Sequence, residues 1–154
     1  MTTIAFDGTH ICADGRSTIG NAIYTEDEPK IVKAGDYILA MAGDSESSEA
    51  LILALQAGHE LTDIEELPAY ICGFLVHKGE VHTIHWDDEG KRIGSWKCHK
   101  HWAFGTGSEY AIAMMDSGKT AKEAVQYAGT RDTNTGRPYM LVDVKKGKIT
   151  TLEG

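Results

Sequence analysis

Short apolar runs separated by turns that contain glycine or aspartate dominate this chain, and they predict β-strands. Residues 3–6 and 10–13 flank Asp7-Gly8 and predict a hairpin. Residues 37–42 are apolar throughout, which is typical of a strand buried on both faces. The other predicted strands are residues 30–32, 70–76, 81–86, 138–144 and 148–152.

Three segments instead have helical features. Apolar residues recur at helical spacing after Gly43-Asp44-Ser45 and predict a helix over residues 46–57. A second predicted helix opens at residues 105–108 and stops at Gly118. The capping-box spacing of Thr120 and Glu123 predicts a third, ending near Gly129. This order of elements predicts an α+β fold with two antiparallel sheets covered by helices, in a single domain over residues 1–154.

Charge and composition exclude several function classes. The 154 residues carry a formal net charge of −8 at pH 7, which repels a phosphate backbone, so we expect no nucleic-acid partner. No apolar run approaches the ~20 residues of a membrane span, and we expect no membrane partner. The first residues do not resemble a secretory signal, and the three cysteines lack a C-x-x-C spacing. Both observations favour a cytoplasmic location.

Cysteine and histidine residues raise the alternative of a metal site. Cys98-His99-Lys100-His101 lies near His82 and His85 in the sequence. On a strand, Cys98 would share a side with Lys100, which is not a metal ligand, while His99 and His101 would share the other side. We therefore expect packed or solvated histidines, with no metal and no other cofactor.

Thr2 is a candidate nucleophile. It becomes the first residue if Met1 is removed, and its small side chain favours that removal. A terminal threonine carries its own base, because its α-amine has an ordinary pKa of about 7.7–8.0 and is partly unprotonated near neutral pH. This pairing of hydroxyl and amine is a variant of the nucleophile-and-base arrangement of hydrolases.

Six ordered motifs strengthen the prediction that Thr2 is a nucleophile. Through these motifs the chain resembles the proteasome β-subunit family, including its HslV-type bacterial peptidases. The resemblance covers essentially the whole chain and implies the four-layer αββα sandwich of N-terminal nucleophile hydrolases. It also implies a threonine endopeptidase. The motifs are Thr2-Thr3-Ile4, Ala13-Asp14-Gly15-Arg16, Pro29-Lys30-Ile31, Met41-Ala42-Gly43, Gly105-Thr106-Gly107-Ser108 and Arg131-Asp132-Thr133-Asn134-Thr135-Gly136.

The resemblance also implies roles for individual residues. Thr2 would be the nucleophile, Lys30 the cation beside its amine, and Asp14 the partner of Lys30. The backbone N–H of Gly43 would serve the oxyanion hole. A second implied set relays the proton of the amine: Thr106, Asp132 and Thr135. A third set matches substrate-binding positions, with a mixed acidic and apolar wall that favours basic or medium apolar side chains: Thr18, Glu28, Met41 and Ser45.

The implied partners are a peptide or unfolded protein as substrate, further copies of the chain in a ring or double ring, and an unfolding ATPase. A ring-forming structural protein without catalysis is the alternative. That alternative rests on Asp44, where the family usually has glycine, on Met1 preceding Thr2, and on a link between Gly58 and Tyr70 too short for the family's second long helix. An amidase for small molecules on the same scaffold is a third option.

Overall fold

Strands account for most of the regular structure. The computed structural model of the protein describes residues 2–26, 28–89 and 91–152. The strands within these ranges are β1 (Thr3–Phe6), β2 (His10–Asp14), β3 (Ser17–Ile19), β4 (Ala22–Thr25), β5 (Ile31–Ala34), β6 (Tyr37–Gly43), β7 (Ile71–His77), β8 (Glu80–Asp87), β9 (Arg92–Lys97), β10 (Trp102–Gly105), β11 (Tyr139–Asp143) and β12 (Lys148–Leu152). The helices there are α1 (Ser45–Gln56), α2 (Ser108–Asp116) and α3 (Ala121–Arg131), with a 3-10 turn at Leu61–Asp63.

Ten of these strands form two five-stranded sheets, and every pairing between them is antiparallel. Sheet I has the order β10-β1-β2-β11-β12, and sheet II has the order β5-β6-β7-β8-β9. The remaining two strands, β3 and β4, form a separate hairpin. Antiparallel pairing follows from the short turns between successive strands, since a parallel pair needs a long crossover.

The two sheets pack face to face because every second residue of their strands is apolar and points toward the opposite sheet. Ile4 and Phe6 of β1 share one buried cluster with Ala40 of β6 and Phe74 of β7. The opposite residues of the same strands face outward. Leu39 and its neighbours on sheet II pack with α1, while Ala5 and its neighbours on sheet I pack with α2 and α3.

The predicted four-layer αββα sandwich and its α+β class are wrong. Strands make up 42% of the described chain and helices 23%, so the fold is β-rich. The physical reason lies in how the outer faces are covered. On sheet II, α1 packs against β5 and β6, whereas Ile84 and Trp86 of β8 are covered by the loop side chains of Leu61, Ile64 and Leu67. A loop therefore stands where a second helix would complete a layer.

Among the residues that the structure describes, no helix has both the length and the apolar character needed to cross a membrane.

Candidate active site

The start of β1 and the end of β2 bring Thr2 and Asp14 together. The two strands pair with Ile4 opposite Ala13, so Asp14 lies beside Thr3 and within reach of Thr2, which precedes it. The Thr2 hydroxyl donates a hydrogen bond to Asp14 Oδ1, and the Thr3 N–H donates to the same oxygen at 3.0 Å. Thr2 is 3% exposed and Asp14 is fully buried. The candidate nucleophile therefore lies against a buried carboxylate.

Lys30 supplies the charge that this carboxylate requires. Its Nζ donates to Asp14 Oδ1 at 2.8 Å and to the backbone carbonyl of Arg16 at 2.6 Å. Burial lowers the pKa of Lys30, and the Asp14 charge and hydrogen bond offset only part of that effect. Thr2 Oγ1 and Lys30 Nζ bind the same carboxylate oxygen, so hydroxyl and ammonium lie side by side.

The second oxygen of Asp14 holds the backbone around the site. Asp14 Oδ2 accepts from the N–H of Arg16 at 3.3 Å and from the N–H of Gly136 at 3.0 Å. With three donors on Oδ1 and two on Oδ2, the buried carboxylate has partners on both oxygens, as a buried charge requires. Asp14 thereby ties β1, Lys30 and the loop after α3 to one point.

Asp132 organises a second group of hydroxyls behind Thr2. Its Oδ2 accepts from Thr106 Oγ1 at 2.5 Å and from Thr135 Oγ1 at 2.6 Å. The Thr106 N–H in turn donates to the Thr2 carbonyl at 3.0 Å. Burial alone would raise the pKa of Asp132, but the hydrogen bonds from Thr106, Thr135 and the Asn134 N–H outweigh it and lower the pKa. Asp132 is therefore ionised near neutral pH and accepts from both hydroxyls.

The C-terminal end of β10 passes very close to Thr2. Gly105 has a φ of +103°, and a Cβ there would lie 1.5 Å from the Thr2 carbonyl oxygen. Only glycine allows both the backbone conformation and the close approach. This contact positions the Thr106 N–H on the Thr2 carbonyl.

A cleft of about 530 Å³ opens in front of Thr2 and Lys30. The residues predicted to bind substrate all line it: Thr18, Glu28, Met41 and Ser45. Gly43 lines it too, whereas Thr106, Asp132 and Thr135 do not and instead lie behind Thr2. The structure thus brings all eleven predicted residues to one region, seven of them on the cleft wall. Their roles stay predictions.

The Gly43 N–H is directed toward this cleft. Asp44 N–H donates to Tyr70 O at 2.9 Å, so the register of β6 and β7 makes Gly43 and Ile71 a pair without mutual hydrogen bonds. The Met41 N–H donates to Lys30 O on the other side, and Gly43 points the same way as Met41. Because β5 begins only at Ile31, this side of Gly43 opens onto the cleft.

Asp44, the residue on which the non-catalytic alternative rests, is engaged elsewhere. It is the N-cap of α1, and its Oδ2 accepts from the Ser47 N–H at 2.8 Å. The carboxylate therefore stabilises the helix N-terminus, where negative charge is favoured. The other basis of that alternative, Met1, lies outside the described residues.

Several residues of the site were not predicted. Thr3 is fully buried, and its hydroxyl contacts Thr135 Oγ1 at 2.6 Å. Arg16 binds Glu26 at 2.7 Å and Thr133 O at 3.0 Å while it lines the cleft. Glu49 and Ile52 of α1 line the cleft beside Ser45. Helical spacing applied to Ser45 would have found these two, because residues four and seven positions later lie on the same face.

No group of three or more His, Cys, Asp or Glu side chains able to hold a metal ion occurs within the described ranges. Cys98 follows the end of β9, and residues 98–101 are not part of a strand. The alternation of faces expected for these four residues was therefore wrong. Searches against protein-family models and against curated proteins find no match to this chain.

Proposed function

We propose that the protein is an N-terminal threonine hydrolase that cleaves peptide bonds, with Thr2 as its nucleophile. The observation that carries the proposal is the shared carboxylate oxygen: Asp14 Oδ1 holds both the Thr2 hydroxyl and the Lys30 ammonium at the wall of the cleft. A buried hydroxyl beside a buried cation suits a nucleophile whose alkoxide needs stabilisation. This function is the one that the sequence motifs imply.

The chemistry begins when removal of Met1 makes the Thr2 amine free. The amine accepts the proton of the Thr2 hydroxyl as Oγ1 attacks the carbonyl carbon of the scissile peptide bond. The Gly43 N–H, which points into the cleft, donates to the oxyanion that forms. Collapse of this intermediate breaks the C–N bond, the amine returns the proton to the leaving nitrogen, and an ester on Thr2 remains. Water then attacks the ester carbonyl and gives a proton to the amine. The bond between the acyl carbon and Oγ1 breaks, the carboxylic acid leaves, and the amine returns the proton to Oγ1.

Lys30 and Asp14 prepare the nucleophile. A cation next to the terminal amine lowers the pKa of that amine and keeps more of it unprotonated at neutral pH. The same charge stabilises the developing alkoxide. Asp14 fixes Lys30 in place through the 2.8 Å ion pair, and the Arg16 carbonyl fixes it from a second direction. The Thr106 N–H holds the Thr2 carbonyl, and the hydroxyls of Thr106 and Thr135 with the Asp132 carboxylate would relay the proton of the Thr2 amine.

The proposal extends to assembly and location. The β3–β4 hairpin exposes Ile19, Ile23 and Tyr24, which favours contact with another protein surface. We propose that copies of the chain form a ring or double ring in the cytoplasm, that peptides or unfolded proteins are the substrates, and that an unfolding ATPase feeds them in.

The test is the intact mass of the purified full chain after incubation with a peptide epoxyketone, which reacts with the hydroxyl and amine of a terminal threonine. We expect the mass of the chain without Met1 plus one inhibitor. Thr2→Ser keeps a hydroxyl and should still be labelled, whereas Thr2→Val has a similar shape without a hydroxyl and should not be. In the same way, Thr2→Ser should hydrolyse a fluorogenic peptide and Thr2→Val should not.

Retention of Met1 together with no adduct would contradict the proposal and favour the non-catalytic ring protein. Labelling of Thr2→Val as strongly as the parent would show that the inhibitor reacts elsewhere, and would contradict the assignment of Thr2. The matched exchange Thr9→Val alters an exposed threonine on the β1–β2 turn and should leave labelling unchanged.

A further inference from the structure

The charges on the cleft wall do not cancel. Two cations line it, and each is held by a carboxylate of its own: Arg16 by Glu26 at 2.7 Å and Lys30 by Asp14 at 2.8 Å. Two further carboxylates, Glu28 and Glu49, line the same cleft. Counted over the described cleft residues and the two partners Glu26 and Asp14, four carboxylates face two cations. Two negative charges therefore remain unbalanced.

The wall of the same cleft also carries aliphatic side chains. Val32 and Met41 come from sheet II and Ile52 comes from α1. Met41 is almost fully buried, while Val32 and Ile52 are partly buried and pack with the core beneath. A side chain that enters this cleft thus passes aliphatic groups on its way to negative charge. Lysine and arginine match this arrangement, because each has an apolar stem and a positively charged end.

The two carboxylates approach from different elements. Glu28 lies in the segment before β5 and acts on Lys30, since its charge opposes the lowering of the Lys30 pKa. Glu49 projects from α1, four residues after Ser45 and three before Ile52, so these three share one helix face toward the cleft. The overall charge of −8 also attracts cationic peptides to the molecule.

We propose that the cleft selects lysine or arginine as the residue on the acyl side of the scissile bond, with Glu28 and Glu49 as its specificity-determining residues. The inference rests on the proposed function, because it names the substrate class of that same site. The cationic end would lie between the two carboxylates, and the methylene stem would lie along Val32, Met41 and Ile52. Neither carboxylate takes part in the reaction itself.

The test compares two epoxyketone peptides that differ only in the side chain next to the reactive group, arginine in one and norleucine in the other. Norleucine keeps an unbranched stem and lacks the charge. We expect the parent to be labelled about tenfold faster by the arginine probe, an effect typical of partly exposed ion pairs acting together. Glu28→Gln and Glu49→Gln should each reduce this ratio about threefold, and the double variant should bring it close to one.

Glu46→Gln is the matched control, because Glu46 lies in the first turn of α1, is exposed and does not line the cleft. It should keep the ratio of the parent. High salt should lower the ratio in the parent and leave norleucine labelling unchanged, since screening acts on the charged end only.

The outcomes separate the two proposals. Rapid labelling of Thr2 by norleucine with no preference for arginine would overturn the inference and leave the hydrolase standing. A preference that survives in the double variant would overturn the role of the two carboxylates. Failure of both probes to label the parent would overturn the hydrolase, and with it the inference.

Discussion

Asp14 is the side chain on which the candidate site depends most. Its two oxygens accept hydrogen bonds from two side chains and three backbone N–H groups. These donors lie at the start of β1, just after β2, before β5 and in the loop after α3. An amide has one acceptor oxygen and no charge, so it cannot serve the same donors. Loss of the carboxylate would leave the largely buried ammonium of Lys30 without its ion-pair partner, because Lys30 Nζ lies 2.8 Å from Asp14 Oδ1.

We expect Asp14→Asn to lower the free energy of unfolding by about 3–5 kcal/mol, the range found when one partner of a buried ion pair is removed. Urea denaturation monitored by circular dichroism measures this. Asp88→Asn is the matched control, because Asp88 pairs with Lys91 at 3.4 Å on the surface and is 83% exposed. That exchange should change stability by less than about 1 kcal/mol. Similar effects of both exchanges would contradict the role given to Asp14.

Asp132 should make stability depend on pH. Its folded-state pKa is held below the ordinary value of 3.8, so its contribution is present above pH 3.8 and is lost as the pH falls through the folded-state value. Asp132→Asn should therefore lower the melting temperature at pH 6, and the difference from the parent should shrink at pH 3. Thermal unfolding at the two pH values measures this. Asp36→Asn, in the exposed turn between β5 and β6, is the matched control and should leave the melting temperature close to that of the parent.

The sequence motifs contain most members of the site, but one buried hydroxyl was not predicted. The predicted members include the charged residues Asp14, Lys30 and Asp132, which lie in motifs whose residue types suit a threonine nucleophile. Thr3 is absent from the prediction, although its hydroxyl lies 2.6 Å from Thr135 Oγ1 and accepts from the Gly107 N–H at 3.1 Å. A threonine in a strand has the same pattern whether its hydroxyl is buried in a network or exposed, because that depends on chain segments more than a hundred residues apart.

Helix α1 connects the site to the fold. It begins immediately after Gly43, and its cap Asp44 follows the residue whose N–H faces the cleft. Ser47 inside its first turn is fully buried, and its hydroxyl accepts from the Ala69 N–H at 2.8 Å. The position of the helix therefore fixes one wall of the cleft.

Asp44→Ala should destabilise the protein by about 1 kcal/mol, because the Ser47 N–H loses the acceptor that now lies 2.8 Å away. Asp44→Ser should retain most of the stability, since serine also caps helices well. Guanidinium denaturation of the three proteins measures this. If alanine and serine had equal effects, the cap would not be the reason for the loss.

Elements with strong apolar or capping patterns were predicted, and those without them were not. The three helices and the strands β6, β7 and β8 lie close to their predicted positions. The hairpin of β3 and β4 was missed because it stands outside the large sheets and buries little, so alternation is weak. Strand β9 was missed for a similar reason: it is an edge strand, mostly exposed, with Gly94 at its centre to admit the His85 ring.

The fold class is the level at which the sequence prediction fails. Capping boxes and apolar spacing indicate where helices start, but not how much of a sheet they cover. The polar link after α1 holds Leu61, Ile64 and Leu67, which read as scattered apolar residues in a loop. In the structure they pack on sheet II with Ile84 and Trp86 and replace a helix there. Coverage by a loop has no sequence period, so it could not be predicted from periodicity.

The candidate site straddles the two sheets, which makes its geometry a property of the whole molecule. Thr2 and Asp14 belong to the sheet I side, while Lys30 and Gly43 belong to the sheet II side. Their alignment depends on the core between the sheets. Phe74 lies at its centre, with ring centroids 5.9 Å from Phe6 and 5.0 Å from Phe104.

Phe74→Ala should reduce the free energy of unfolding by about 3–5 kcal/mol, because it removes a fully buried ring and leaves a cavity between the sheets. Phe74→Leu keeps most of the volume and should cost about 1.5 kcal/mol. Leu53→Ala, at a side chain with 56% exposure, should stay within about 0.5 kcal/mol. Denaturant unfolding of all three gives the comparison. Equal losses for alanine and leucine would mean that the ring's contacts, rather than the filled volume, hold the sheets together. We also expect the looser core to move Asp14 away from Lys30. Labelling of Thr2 should therefore slow in the folded Phe74→Leu protein, whereas Leu53→Ala should react like the parent.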